Sequence, residues 1–162
     1  MNRILGIDPG PKTSDYVVWD GKVQIIGRDI PNDVLLEDVC RLCRRFDIKH
    51  VAIERVRGYG LPGSNDLFDT IEFYGRLWDR LDQNGFVVIL VPRKDAVAHI
   101  CDGNRQAGDK GVNQALEDRF GGKGTRKDPG PLNGISGSHL KAALSVAVYA
   151  RDHVVGKEAK SL

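Results

Sequence analysis

The sequence predicts an α/β fold: a five-stranded mixed sheet, three antiparallel strands followed by parallel ones, flanked by helices. Short apolar runs, each stopped by turn residues or by a charge, mark the strands. After the third of them the runs alternate with stretches of helical apolar spacing, which gives the order βββαβαβ with further helices to the end. No internal repeat, low-complexity tract or linker divides the 162 residues, so 1–155 read as one domain and 156–162 as a flexible tail.

Ile4 to Ile7 is a buried strand halted by Asp8-Pro9-Gly10. Tyr16-Val17-Val18-Trp19 and Val23-Gln24-Ile25-Ile26, joined at Asp20-Gly21, read as a hairpin with a tight two-residue turn. Val34, Leu35, Val39, Leu42 and Phe46 recur at helical spacing, with Asn32 or Asp33 placed to cap the first turn and Asp47 closing the stretch. His50-Val51-Ala52-Ile53 is the fourth strand, and it ends in Glu54 before a loop that runs from Gly58 to Gly63.

A long helix from Asn65 to about Leu81 carries Leu67, Phe68, Ile71, Tyr74, Leu77, Trp78 and Leu81, and of these Phe68, Ile71, Tyr74, Leu77 and Trp78 are expected in the core or in a dimer contact. Phe86 to Val91 is the fifth strand, stopped by Pro92. A short helix from Lys94 to Ile100 and another from Asp109 to Phe120 follow. The glycine- and proline-rich segment Gly121 to Gly137 has little to pack and is expected to be an exposed, mobile loop. Ser136 or Ser138 can cap the last helix, whose Leu140, Ala143, Leu144, Ala147 and Val148 suit close packing on a sheet.

With 41% hydrophobic and 28% charged residues the chain is not a disordered one. A net charge of +2, from 24 Lys+Arg against 22 Asp+Glu, neither proves nor excludes a nucleic-acid partner, so the placement of the charges must decide. Cys40, Cys43 and Cys101 are too few and odd in number for a disulfide framework, which fits a reducing cytoplasm; Cys40-x-x-Cys43 lacks the second ligand pair of a closed zinc site. Nothing resembles a signal peptide or a membrane span, so no membrane partner is expected.

Asp8 and Glu54 each follow an apolar strand directly, instead of lying on a solvated helix face where an acid costs nothing. If the two strands are neighbours, the carboxylates converge and repel, and a divalent cation resolves the conflict. Mg²⁺, which takes hard oxygen ligands and keeps several waters, suits two or three carboxylates at a sheet edge beside substrate phosphates. The plainer reading stays open: Asp8 closes a turn before Pro9-Gly10, and Glu54 pairs with Arg55 or Arg57.

Cations lie in segments that would border the acidic edge: Arg55, Arg57, Arg93, Lys94, Arg105, Lys110, Lys123, Arg126 and Lys127. Lys123 to Lys127 has only Asp128 as a nearby acid, which favours DNA contact over a merely solvated face. Tyr59 and Leu61, in the loop after Glu54, either stack on or wedge between bases, or pack within the loop. Asp109 reads first as the N-cap of its helix, and Lys110 beside it as a phosphate contact.

Ile4-Leu-Gly-Ile-Asp8-Pro-Gly10 resembles the opening motif of RuvC-type Holliday junction resolvases, and Val51-Ala-Ile-Glu54 resembles their second motif. Gly58-Tyr-Gly-Leu-Pro-Gly63, Asp109-Lys-Gly-Val-Asn-Gln-Ala-Leu116, Gly130-Pro-Leu-Asn-Gly-Ile-Ser-Gly-Ser-His139 and Ala142-Ala-Leu-Ser-Val-Ala147 are similar to phage-encoded members, so the resemblance spans nearly the whole chain. It implies an RNase H-like fold, a homodimer, and Mg²⁺, with Mn²⁺ as a substitute, driving hydrolysis of a phosphodiester in a four-way DNA junction without a nucleotide cofactor. Asp8 and Glu54 fall on the first two catalytic and metal-binding positions, and nicks with 5′-phosphates are implied, in a bacterial cytoplasm or that of a phage's host.

In the cellular enzymes two further metal-site residues, three apart, open the last helix; here the matching positions hold His139 and Ala142. His139 can ligate metal or shuttle a proton, but the methyl group of Ala142 offers no lone pair, leaving Asp109, Asp128 or water to substitute. Three rivals follow: an RNase H-like nuclease acting on flaps, hybrids or single strands; a junction-binding module with feeble or no catalysis, suggested by Ala142; and an actin-like ATPase, which the short chain disfavours.

Overall fold

A computed structural model describes residues 3–56 and 63–155, the last two as backbone alone. The elements run β1 (Arg3–Pro9), β2 (Thr13–Trp19), β3 (Val23–Pro31), α1 (Asn32–Arg45), β4 (Ile48–Arg55), α2 (Asn65–Gln83), β5 (Val87–Pro92), α3 (Arg93–Ile100), α4 (Asp109–Phe120) and α5 (Gly137–Ala150), closed by a π-helical turn, Arg151–Val155. The sheet order is β3-β2-β1-β4-β5, with β1–β2 and β2–β3 antiparallel and β1–β4 and β4–β5 parallel. The strand that opens the chain is therefore central, flanked by β2 and β4, and the five-stranded mixed α/β sheet is as the apolar runs foretold.

Because side chains alternate along a strand, each strand feeds two layers. Leu5, Ile7, Val18, Val51 and Ile53 pack with α1 and α2 through Leu35, Val39, Cys43, Phe73, Leu77 and Leu81. Ile4, Val17, Trp19, Ala52 and Val91 pack on the other face against α3, α4 and above all α5. Gly6 belongs to this second face: a Cβ there would lie 2.0 Å from the Ala143 carbonyl oxygen and 2.8 Å from the Ala147 Cβ. Glycine thus lets the α5 backbone touch β1, which fixes where the start of α5 meets the end of that strand.

Several local expectations are corrected. The hairpin loop is three residues, Asp20 to Lys22, because Trp19 pairs with Val23; the buried Asp20 carboxylate turns inward to Arg3 Nε at 3.5 Å and Gln24 Nε2 at 3.0 Å. Pro31, not Asn32 or Asp33, is the N-cap of α1. The Asn32 side chain instead accepts from the Ser14 hydroxyl at 2.7 Å and donates to the Gly10 carbonyl at 2.9 Å, bracing the β1–β2 turn. Ser136 is the N-cap residue of α5, but its hydroxyl accepts from Arg28 Nη2 at 2.7 Å and caps nothing.

The segment Gly121 to Gly137 also differs from a loose loop. Gly124 and Pro129 bridge, Gly130 N donates to the Lys123 carbonyl at 2.8 Å, and Val23 N donates to the Pro131 carbonyl at 2.8 Å, so the stretch folds on itself and is tied to β3. Leu132 and Ile135 are buried in the core, the packing that its glycine-rich composition concealed. On α2 the buried residues are Thr70, Phe73, Leu77 and Leu81, whereas Phe68, Ile71 and Trp78 are exposed on the single chain and so lie outside its core. No helix among the described residues is long and apolar enough to cross a membrane. The tail 156–162 lies outside the described residues.

Candidate active site

The parallel register Ile7↔Ile53 makes Asp8 on β1 and Glu54 on β4 the next residues along neighbouring strands, on the face that carries α5. Both are largely desolvated, with side chains 11% and 13% exposed. Burial raises the Asp8 carboxyl above its usual pKa even though His139 donates to it. Burial, and then the Asp8 charge, push Glu54 up to about 7. The two acids therefore converge, as the strand-end reading required.

His139 reaches the site from the first turn of α5, the end positioned by the Gly6 contact, and its Nδ1 lies 2.7 Å from Asp8 Oδ2. That hydrogen bond raises the imidazole pKa, while the ring stays 74% exposed on its other side. Ala142, one turn on, is buried and presents only its methyl group.

Arg93, the first residue of α3, faces the acids from the end of β5: Nη1 is 3.7 Å from Glu54 Oε1 and Nη2 is 3.9 Å from Asp109 Oδ1. Asp109 is the first residue of α4 and Gly108 its N-cap, so the capping assignment is wrong; the carboxylate turns to Arg93 and is 61% exposed. The other Glu54 oxygen, Oε2, is buried without a hydrogen-bond partner among the described residues. An ionised oxygen in that position is costly and marks where a cation or a donor fits.

Sequence reasoning missed Asp15. The antiparallel register pairs it with Asp8 across β1–β2, so the two acids are on one face, and it is only 6% exposed. Its Oδ1 accepts from the Asp29 backbone N–H at 2.9 Å, and it lines a small cavity with Asp8, Gly10, Thr13, Asp29 and His139. Asp15 precedes the β-prone run that starts at Tyr16, and its parity with Val17 and Trp19 is the signal that it points inward. In the sequence Arg93 is one of many cations, with nothing local to single it out.

Among the described residues no group of three or more His, Cys, Asp or Glu side chains is gathered so as to hold a metal ion by itself. Mg²⁺ does not need such a cage, since it is bound through one or two carboxylates, waters and phosphate oxygens. Asp8 and Glu54, with the orphaned Glu54 Oε2, fit that requirement. Lys110, Lys123, Arg126 and Lys127 are all exposed, while Arg105 is held by Asp95 at 3.2 Å. Arg57, Tyr59 and Leu61 lie outside the described residues.

No protein-family model and no curated protein matches the chain. Solved structures do. It is similar to RuvC of Thermus thermophilus in complex with Holliday junction substrate, at 18% identity and TM-score 0.69, over 94% of this chain and 97% of the other. The yeast mitochondrial Holliday junction resolvase matches at 14% identity and TM-score 0.59, over 99% and 85%. The fowlpox virus Holliday junction resolvase matches at 12% identity and TM-score 0.56, over 94% and 99%. At these identities the likeness shows the fold: the chain has the RNase H-like fold of RuvC-type resolvases, over nearly its whole length.

Proposed function

We propose that this chain is a Mg²⁺-dependent endodeoxyribonuclease that resolves Holliday junctions or related branched DNA. The observation that carries the reading is the meeting of Asp8 and Glu54 on adjacent strands, desolvated, with His139 bonded to the first and an orphaned oxygen on the second. The structural likeness to three resolvases supports it.

Asp8 and Glu54 would hold the ion, with Mn²⁺ an acceptable substitute. When bound, a divalent ion supplies positive charge to the phosphate oxygens and makes an attacking water more acidic. The residues do the rest. His139, steered through Nδ1 by Asp8, keeps its exposed side for a proton of the attacking water or of the leaving oxygen. Arg93 balances Glu54 and can turn to a phosphate oxygen. Lys110, on the turn beside Asp109, and the exposed Lys123, Arg126 and Lys127 meet flanking phosphates, and Arg57 and Tyr59 follow Glu54 closely enough in sequence to do likewise.

Phe68, Ile71 and Trp78 on α2 form an exposed apolar stripe with Gly75, suited to a homodimer that presents two sites to a symmetric junction. A phage setting, acting in the host's cytoplasm, agrees with the motifs quoted above. The test is cleavage of a synthetic four-way junction against linear duplex, with and without Mg²⁺, by the wild type and Glu54→Gln. Paired nicks by the wild type alone, only with metal and only on the junction, are the expected result; cleavage of linear duplex at the same rate would sink junction selectivity. The buried methyl of Ala142 favours a second reading, a junction-binding protein with feeble catalysis. It predicts tight binding, indifferent to Asp8→Asn, and no metal-dependent cutting by the wild type.

A further inference from the structure

The geometry points to Asp15 as the third metal-binding carboxylate, which replaces from β2 the acid that α5 lacks at Ala142. This inference rests on the nuclease reading and extends it to a residue that lies in neither of the acidic motifs. The β1–β2 register sets Asp15 beside Asp8, and the β1–β4 register sets Glu54 on the other side, so three acids form one row across three adjacent strands. Cross-strand partners stand about 4.5–5.5 Å apart at Cβ, and like charges directly opposite are destabilising. A chain that keeps such a row on a buried face has a use for positive charge there.

Asp15 is more than nine-tenths buried, yet it opens onto the cavity it shares with Asp8 and His139. Its Oδ1 is fixed by the Asp29 N–H, offered from a residue with φ 50°, and Oδ2 has no hydrogen bond among the described residues. That is a carboxylate oriented by one oxygen and available through the other. At the far end of the row Glu54 Oε2 is buried and unpartnered. The alternatives weighed from sequence are poorer. Asp109 is 61% exposed and faces Arg93, while Asp128 is exposed in the folded glycine-rich segment. Asp8 stands between the other two acids, so a pair of carboxylates, not a cage of three, faces each side of it, and such a pair with waters and phosphate oxygens is enough for Mg²⁺.

The experiment is calorimetric titration of the DNA-free full chain with Mn²⁺, paired with melting temperatures with and without the ion and with junction binding in EDTA. Asp15→Asn keeps the acceptor for Asp29 N–H and removes the charge. Expected are a loss of metal affinity of about tenfold or more, a smaller metal-induced rise in Tm, a metal-free Tm at or above that of the wild type, and junction binding in EDTA no weaker than that of the wild type. Asp15→Asn/Ala142→Asp, which returns an acid to α5, should recover part of the affinity. The inference is overturned if Asp15→Asn titrates like the wild type, if Asp109→Asn takes the larger loss, or if Asp15→Asn melts lower without metal while keeping its affinity, since that outcome describes a residue bracing the Asp29 turn. Failure of the nuclease reading looks different: the wild type itself would neither bind Mn²⁺ nor cut.

Discussion

Two polar constellations sit on the same layer of helices, and they are built to opposite rules. At the sheet edge, Glu54 has one oxygen at ion-pair distance from Arg93 and the other with no partner, and Asp8 and Glu54 both have raised pKa values. Beside α3 and α4, the Asp152 carboxylate accepts from His99 Nε2 at 2.7 Å and from Arg119, and His153 Nε2 meets His99 Nδ1 at 3.0 Å. Burial works against the Asp152 charge there too, but the bonds from His99 and Arg119 hold its pKa below the usual value. A saturated cluster stabilises the fold. An unsaturated one stores a demand for a ligand.

The largest effect is expected at Glu54. Glu54→Gln should lower metal-dependent junction cleavage by about a thousandfold or more, as expected when a group holding the reacting centre is lost. Asp152→Asn should cut at the wild-type rate and instead cost on the order of 1–2 kcal/mol of stability, the worth of charged hydrogen bonds at a partly exposed site. Single-turnover rates beside urea unfolding read both. An Asp152→Asn protein that folds normally but cannot cut would erase the distinction between the clusters.

The next effect is on stability against pH in metal-free buffer. With a folded value of about 7 against an ordinary 4.5, Glu54 makes the folded chain bind more protons than the unfolded between those pH values. Stability therefore falls as pH rises from about 4.5 to 7, by about 3 kcal/mol from this group. Asp152 has the opposite sign: its lowered value contributes stability that is present above the usual carboxylate pKa and lost as pH falls through the folded one. Urea midpoints measured across this range should fall less steeply in Glu54→Gln, the remaining slope coming from Asp8 and His139, whose values are also raised. Mg²⁺ should also cancel the slope in the wild type, because it supplies the missing charge.

Much of this architecture was written where local signals are strong. The acids Asp8 and Glu54 stood out because each terminates an apolar run, and strand order then had to bring them together. Asp15 was hidden because β2 begins at Thr13, three residues before its β-prone stretch, and register is a tertiary fact. His139 was visible through a motif likeness alone; nothing in its local sequence says that α5 will lean on β1. Leu132 and Ile135 were lost among glycines, since two apolar residues make no period. Asp109 looked like a cap because its residue type suits one, but Arg93 competes for the same carboxylate.

That leaning gives a third, smaller effect. Gly6→Ala places a Cβ against the Ala143 carbonyl, so α5 must shift away from β1, at about 1–3 kcal/mol for overpacking. The shift also draws His139 from Asp8, so cleavage should fall by more than the stability loss explains, and the pKa of His139, followed by NMR, should return toward its ordinary value. Gly85→Ala, where nothing lies within 4 Å but φ is +80°, is the matched control: backbone strain, remote from α5, with the His139 titration untouched.

The smallest effect concerns cations that neither constellation employs. Lys123, Arg126 and Lys127 protrude from a segment that is itself pinned by the Gly124–Pro129 bridge and by Leu132 and Ile135 in the core. A pinned basic tip gives up less chain entropy on meeting phosphate than a floppy one, so its contacts should be few and reproducible. Replacing any one of the three by Ala should weaken binding evenly across junction sequences. It should also flatten the plot of log affinity against log salt by about 1 per phosphate contact removed. Fluorescence anisotropy on a labelled junction over a salt series measures this, and an unchanged slope in all three variants would move the DNA path off this tip and toward Lys110 and Arg93.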